Sequence, residues 1–181
     1  SIHAIDGTGT ITATYNKRHL VPFGEYVPLR WLFKFSKLTD GRIDFQPGET
    51  ARIFDLTGLP PVAMLICYEV IFPEKIVEKS HRAAWILNLT NDAWFGNSAG
   101  PHQHLAAAQL RAIEQGLPVV RVANTGISAV IDAHGRIQAS LPLGEMGFLD
   151  YGLPSALAVQ PLYGRFGNRL FVGFILVCLI L

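Results

Sequence analysis

The chain has 181 residues, a formal net charge of +1, and charged side chains at only 16% of positions against 50% hydrophobic. That length suits one domain with a sizeable core, and nothing in the near-neutral balance points to an electrostatic nucleic-acid surface. Two cysteines are too few for a disulfide scaffold.

SIHAI and ITATYN flank DGTG, and Asp-Gly supplies the dihedrals of a tight turn, so the first two strands are expected to form a hairpin. The opening shows neither a basic region nor a long apolar stretch of the targeting kind and is expected to begin in mid-fold. NKRHLVPFGEYVP, with prolines and a glycine around a cluster of charge, reads as a shaped loop. PLRWLFKFSKL reads as a short amphipathic helix with Trp31, Phe35 and Leu38 on one face, and DGRIDFQPGE as loop. ARIFDLT and PVAMLI read as strands separated by GLP, the second apolar throughout and therefore buried on both faces. PEKIVEKSH has Pro73 at a natural first helical position.

AAWILNLT is another buried strand and runs into the polar loop NDAWFGNSAGP. HQHLAAAQLRAIEQ is the clearest helix, with Ala106, Leu110 and Ile113 on one face and Gly116 and Pro118 to stop it. VVRVAN, GISAVID and RIQASL follow as strands, the last two joined by a turn at AHG, and SALAVQP is expected to add one more. From Leu170 the run LFVGFILVCLIL carries no charge. A spanning helix needs about 20 apolar residues, so this run is expected to be the first part of one, apolar on every face. Strands alternating with helices in the middle and hairpins at both ends predict an α/β layered sheet of mixed strand direction.

Cys67, in ICYE, stands where a buried strand ends. A strand cysteine is commonly a small core residue. Its exit position, the polar Tyr68 and Glu69 that follow, and a turn that could offer the backbone N–H of residue 68 to an oxyanion point instead to a nucleophile. Such a thiol needs a base or a cation. Lys17 is a candidate, in a loop whose prolines and glycine hold one shape, with Glu25 eight residues on; the alternative is a solvated basic patch of Lys17, Arg18 and His19. Asn91, Asp92 and Trp94 leave a buried strand on the same kind of exit and either shape a pocket or satisfy a loop. The HQH at 102–104 has a metal-like spacing on a strand, but it opens a helix, where residues two apart diverge, so it reads as structural.

YNKRHLVPFGEYVP, ICYEVIFPE, LTNDAWFG and GPHQHLAAAQLRAIEQGLPVVRVANTGISAVID together resemble the carbon-nitrogen hydrolase (nitrilase) domain of the bacterial apolipoprotein N-acyltransferases. The resemblance implies a nitrilase-like four-layer α-β-β-α sandwich, incomplete because its N-terminal part is missing, over residues 1–164, with 165–181 as the start of a C-terminal transmembrane helix. It further implies that Cys67 is the nucleophile, Lys17 the triad lysine and Glu25 a second supporting glutamate, with Tyr68 and Glu69 at required flanking positions and Asp92 and Trp94 near the substrate. The triad glutamate should lie upstream of Lys17, yet residues 1–16 contain no Glu, and Asp6 sits in a turn. The chain is therefore expected to be an inactive C-terminal piece of a longer enzyme.

For that enzyme the resemblance implies acyl transfer from a phospholipid, phosphatidylethanolamine, through a Cys67 thioester to the α-amine of a diacylglyceryl-modified apolipoprotein. It implies no metal or cofactor, no nucleic acid, and a catalytic domain on the periplasmic side of the bacterial inner membrane. Two rivals remain: a nitrilase-type amidase, and a non-catalytic membrane-anchored remnant.

Overall fold

The computed structural model describes residues 1–28, 44–49, 53–73, 76 and 82–180. The predicted helix bearing Trp31, Phe35 and Leu38 lies outside them, as does most of PEKIVEKSH. The chain divides into two units, Ser1–Ala51 and Arg52–Leu181.

In the first unit, β1 (Ile2–Ile5) and β2 (Ile11–Tyr15) form the expected antiparallel hairpin, with Ile2 opposite Tyr15. Its turn is closed by one carboxylate: Asp6 Oδ1 accepts from the Thr8 N–H at 2.8 Å, the Thr8 hydroxyl at 2.6 Å and the Thr10 N–H at 3.0 Å. Short polar side chains favour turns for this reason. Beyond β2 the loop has no regular ladder and is laced to residues 44–49 by backbone bonds, Gly48 N–H to Lys17 O at 2.7 Å and Phe45 N–H to Glu25 O at 3.0 Å.

The second unit is built on a six-stranded sheet, ordered as in the chain: β3 (Ile53–Phe54), β4 (Val62–Ile66), β5 (Trp85–Asn91), β6 (Val119–Asn124), β7 (Ser128–Ile131) and β8 (Ile137–Leu141). β4, β5 and β6 run parallel, and the flanking pairs are antiparallel, which is the mixed direction expected. The apolar run of β4 is buried on both faces, with Val62, Ala63, Met64 and Leu65 all at 2% exposure or less. Helix α1 (Gly100–Gln115) connects β5 to β6, and its Leu105, Ala108 and Ala112 join Ala63, Leu65, Ile86, Val119, Ala129 and Ile131 in the core. Gly116 caps it in the left-handed region at φ 63°, the conformation glycine adopts most readily.

The face of α1 chosen from the sequence is the wrong one. Ala106, Leu110 and Ile113 are exposed, and the inward face carries alanines together with His104, Arg111 and Gln115. Small side chains let the helix lie close on the sheet, and each inward polar side chain makes at least one hydrogen bond, so hydrophobicity alone marks the outer face as readily as the inner one. SALAVQP is not a strand either. It runs past the end of α1, where Leu157 N–H donates to Gly116 O at 2.9 Å and Arg82 Nη2 donates to Leu157 O at 3.0 Å, so both backbone groups of Leu157 are satisfied away from any sheet edge. A Cβ on Gly116 would lie 2.6 Å from the Pro161 ring.

The chain closes with α2 (Leu162–Phe166) and α3 (Arg169–Ile180). Residues 170–179 of α3 are exposed, Phe171, Phe174 and Leu179 among them. No helix of the described residues is long and apolar enough to cross a membrane.

Candidate active site

The first unit gathers Lys17 and Glu25. The ammonium of Lys17 donates to Glu25 Oε1 at 2.7 Å and Oε2 at 2.8 Å, with the lysine side chain 11% and the glutamate side chain 24% exposed. Glu25 is itself held, because Oε2 also accepts the Val21 N–H at 2.7 Å while the Glu25 N–H donates to Val21 O at 2.8 Å. The proline-bearing loop thus folds back on itself around one carboxylate. Phe23, at its tip, takes φ 62°, a conformation rare outside glycine.

In the second unit Cys67 follows the last residue of β4 and takes φ 53°. The chain breaks from strand to 3-10 turn (Cys67–Ile71) at that residue. Glu69, 1% exposed, closes the turn by accepting the Ile66 N–H at 2.7 Å, and Val70 anchors it in the core. Cys67 is half-buried and in no disulfide. Tyr68 beside it packs edge-on to Phe72 at 6.3 Å and against the His104 ring at 5.8 Å.

Sheet register then sets a polar layer under this turn. Leu65 pairs with Asn88, Asn88 with Arg121 and Arg121 with Ala129, so Asn88 and Arg121 are neighbours on the sheet face that α1 covers. Both are at 1% exposure or less. Asn88 Nδ2 donates to the carbonyl oxygens of Leu65 at 3.4 Å and Cys67 at 3.3 Å. Arg121 donates from Nη1 to Asn88 Oδ1 at 2.5 Å, from Nη2 to Asp92 Oδ2 at 2.5 Å and from Nε to Ile127 O at 3.3 Å.

Asp92 opens the 3-10 turn after β5, and its Oδ1 also meets the Thr90 hydroxyl at 3.0 Å and His104 Nδ1 at 2.9 Å. Gly126 lies against this carboxylate, where a Cβ would come within 2.5 Å of Oδ2. Burial by itself would raise the Asp92 carboxyl, but the hydrogen bond with His104 and the charges of Arg121 and His104 outweigh it and hold the pKa below the usual value. Burial lowers the Arg121 guanidinium, opposed by Asp92 and, less strongly, by Cys67.

Of the residues singled out in the sequence, Lys17 and Glu25 form one pair, and Cys67, Tyr68 and Glu69 share one turn. Asp92 lies buried at the centre of the polar layer, while Trp94 is 72% exposed and points away from burial. Asn91 caps the turn that carries Asp92 and Trp94 by accepting the Ala93 N–H at 3.1 Å. His102 is exposed, but His104 is buried in the network, a part its HQH setting did not disclose. Asn88, Arg121 and Thr90 were missed as well. Their signal was legible, since Asn88 and Arg121 interrupt otherwise apolar strands, AAWILNLT and VVRVAN, at inward positions. Among the described residues no cluster of three or more His, Cys, Asp or Glu side chains could hold a metal ion.

A half-buried cysteine at a strained strand exit, backed by a buried polar layer, is a geometry suited to nucleophilic attack on an acyl carbon. Comparison with known proteins agrees with such a fold. The family described as carbon-nitrogen hydrolase matches residues 1–160. The chain is 52% identical over 171 residues to the apolipoprotein N-acyltransferase of Rhodopseudomonas palustris, covering 93% of this chain and 32% of that protein. It is 50% identical to that of Bradyrhizobium diazoefficiens, with the same coverage, and 41% identical over 168 residues to that of Rickettsia prowazekii, covering 93% of this chain and 34% of that one. The chain thus spans about a third of the length of these relatives.

Among solved structures, an amidase from Nesterenkonia sp. superposes with a TM-score of 0.52 at 23% identity, over 77% of this chain and 49% of the other. A carbon-nitrogen hydrolase from Helicobacter pylori superposes with 0.56 at 18% identity, over 78% and 52%. The sheet, the cysteine turn and the matched span lead to one assignment: the chain belongs to the carbon-nitrogen hydrolase family.

Proposed function

We propose that this chain is the C-terminal part of an apolipoprotein N-acyltransferase, with Cys67 as its nucleophile. The observation that carries the reading is the likeness to acyltransferases of that name over 93% of the chain, with Cys67 at a positive-φ strand exit. In the proposed reaction the Cys67 thiolate attacks the ester carbonyl of a phospholipid, for which phosphatidylethanolamine is the choice. The ester C–O bond breaks, the lysophospholipid leaves as an alcohol after taking a proton, and a thioester remains. The α-amine of a diacylglyceryl-modified apolipoprotein then attacks the thioester. The C–S bond breaks, the amine loses its proton, and the product is an amide with the thiolate regenerated.

Lys17 supplies the ammonium that stabilises the developing oxyanion, and Glu25, already gripping it at 2.7 Å, keeps it in place. Tyr68 and Glu69 shape the nucleophile's turn, Asp92 supports it from the buried polar layer, and Trp94 belongs to the substrate side. The reading extends to a four-layer α-β-β-α sandwich over residues 1–164 that is completed by a preceding segment, which also supplies the triad glutamate; the 181 residues alone are then inactive. It takes residues 165–181 as the start of a transmembrane helix, supported by the uncharged run after Arg169 and its exposed faces in α3, and it sets the catalytic domain at the periplasmic face of the bacterial inner membrane.

The test is made on membranes of the source cell. The polypeptide holding the Cys67 peptide is isolated, and its intact mass and any hydroxylamine-sensitive acyl group on that peptide are recorded. A polypeptide much longer than 181 residues with a fatty acyl thioester on Cys67 is the expected result. A short, unacylated polypeptide would overturn the acyltransferase reading.

A further inference from the structure

We propose that Arg121, gripped between Asn88 and Asp92, is a positioning residue for Cys67: through Asn88 it ties down the carbonyl of the strained turn, and it sets a buried positive charge one side chain away from that carbonyl. The inference rests on the reading of Cys67 as the nucleophile.

A guanidinium in the interior of a sheet is expensive, and an apolar side chain of similar volume is often the more stable choice. Arg121 is nevertheless 1% exposed in a central strand, between Asn88 on one side and Ala129 on the other. All of its nitrogens are engaged, Nε by the Ile127 carbonyl, Nη1 by Asn88 and Nη2 by Asp92. The consequence lies in what Asn88 can do. With its Oδ1 taken by the guanidinium, its amide is oriented with Nδ2 toward β4, where it meets the carbonyls of Leu65 and Cys67. The parallel ladder between β4 and β5 runs from Val62 to Ile66, so Cys67 has left it. Asn88 therefore replaces a ladder bond at the residue that takes φ 53°.

The charge matters too. Arg121 reaches the cysteine through Asn88, whose Oδ1 it holds and whose Nδ2 meets the Cys67 carbonyl, and a cation near a thiol favours the thiolate. Among the described residues of this unit, the other ionisable groups around the turn are Tyr68 and Glu69 within it, Asp92 from the turn after β5, and His104 from α1. Arg111 and Glu114 of α1 meet the far end of the turn, where Arg111 Nη1 donates to Ile71 O at 3.0 Å and Nη2 to Glu114 at 2.8 Å. Asp92 is the nearest counter-charge to Arg121, so its removal should act on Cys67 with the opposite sign to removal of Arg121.

The experiment measures the rate of alkylation of Cys67 by iodoacetamide against pH, in the intact protein in detergent with Cys178→Ser as background, read by mass on the Cys67 peptide. The thiolate displaces iodide, so the rate follows thiolate fraction. Arg121→Gln is expected to move the midpoint to higher pH by about one unit, slowing the reaction roughly tenfold at neutral pH, while the plateau at high pH changes far less. Arg121→Lys, which keeps the charge, should leave the midpoint near that of the parent, and Asp92→Asn should lower it.

An unmoved midpoint in folded Arg121→Gln overturns the proposal, as does a shift in the same direction in Arg121→Gln and Asp92→Asn. Should Arg121→Gln fail to fold, as judged by its melting curve, Asp92→Asn decides: a lowered midpoint supports the role, an unmoved or raised one sinks it. Acyl transfer that survives Cys67→Ser would instead remove the nucleophile reading, whatever Arg121 does.

Discussion

Cys67 stands at φ 53°, where any residue but glycine is held at a cost of about 1–2 kcal/mol relative to right-handed backbone. Strain of this kind persists where the surroundings fix it and clusters at functional sites. Replacing the residue by the one that tolerates the conformation therefore separates stability from chemistry. Cys67→Gly is expected to raise the unfolding free energy by up to about 1 kcal/mol, while a Cys67 acyl thioester disappears; a variant that is both active and unacylated would deny the cysteine its role. Glu25 is the second residue to test. Glu25→Gln leaves the size of the side chain unchanged but removes the charge opposite Lys17. In the proposed reaction the acyl-transfer rate should fall about tenfold or more, with a stability loss of about 1.5–3 kcal/mol because a largely buried ammonium loses its counter-charge. Rate and urea midpoint measured on the same preparation give both numbers.

At the level of elements, α1 lies on the sheet through Leu105, Ala108 and Ala112, and both alanines are fully buried. A close-packed contact of this kind has no room for added methylene groups. Ala108→Leu is expected to destabilise the fold by about 1–3 kcal/mol, whereas Leu110→Ser, on the exposed face at 52% exposure, should stay within about 0.5 kcal/mol. Urea denaturation of the two variants checks the pair. The reverse ranking would restore the face that the hydrophobic pattern pointed to.

Over the whole molecule the buried Asp92–Arg121 pair links folding to pH. Burial works against the Asp92 carboxylate, but His104 and Arg121 more than compensate, and its folded pKa lies below the ordinary value. A carboxyl depressed in this way stabilises the folded state above its unfolded pKa of about 3.9, and the contribution is lost as pH falls through the lower folded value. Stability should therefore drop in the window below about pH 4. Asp92→Asn should flatten that drop while lowering stability at neutral pH by about 3–5 kcal/mol, since it leaves a buried guanidinium uncompensated. Melting temperature against pH for both proteins measures the difference; parallel curves would mean that other carboxylates govern acid unfolding.

The sequence by itself determined the hairpin at Asp6, the apolar strands β4 and β5, the span and end of α1, and the presence of a cysteine at a strand exit. These follow from local rules, namely turn chemistry, continuous apolar runs and glycine at a helix end, and local rules are written in neighbouring residues. It also carried the family, because the quoted motifs follow one another in order along residues 1–160. The inward face of α1, the fate of SALAVQP and the Asn88–Arg121–Asp92–His104 network were decided only by tertiary structure. An alanine-lined contact has no hydrophobic signature that outranks an exposed leucine, and the backbone of SALAVQP found partners at a helix end that no local pattern encodes. Asn88 and Arg121 are 33 positions apart and meet because of strand register. A polar residue inside an apolar strand announces that it needs a partner, and only the fold says which one it finds.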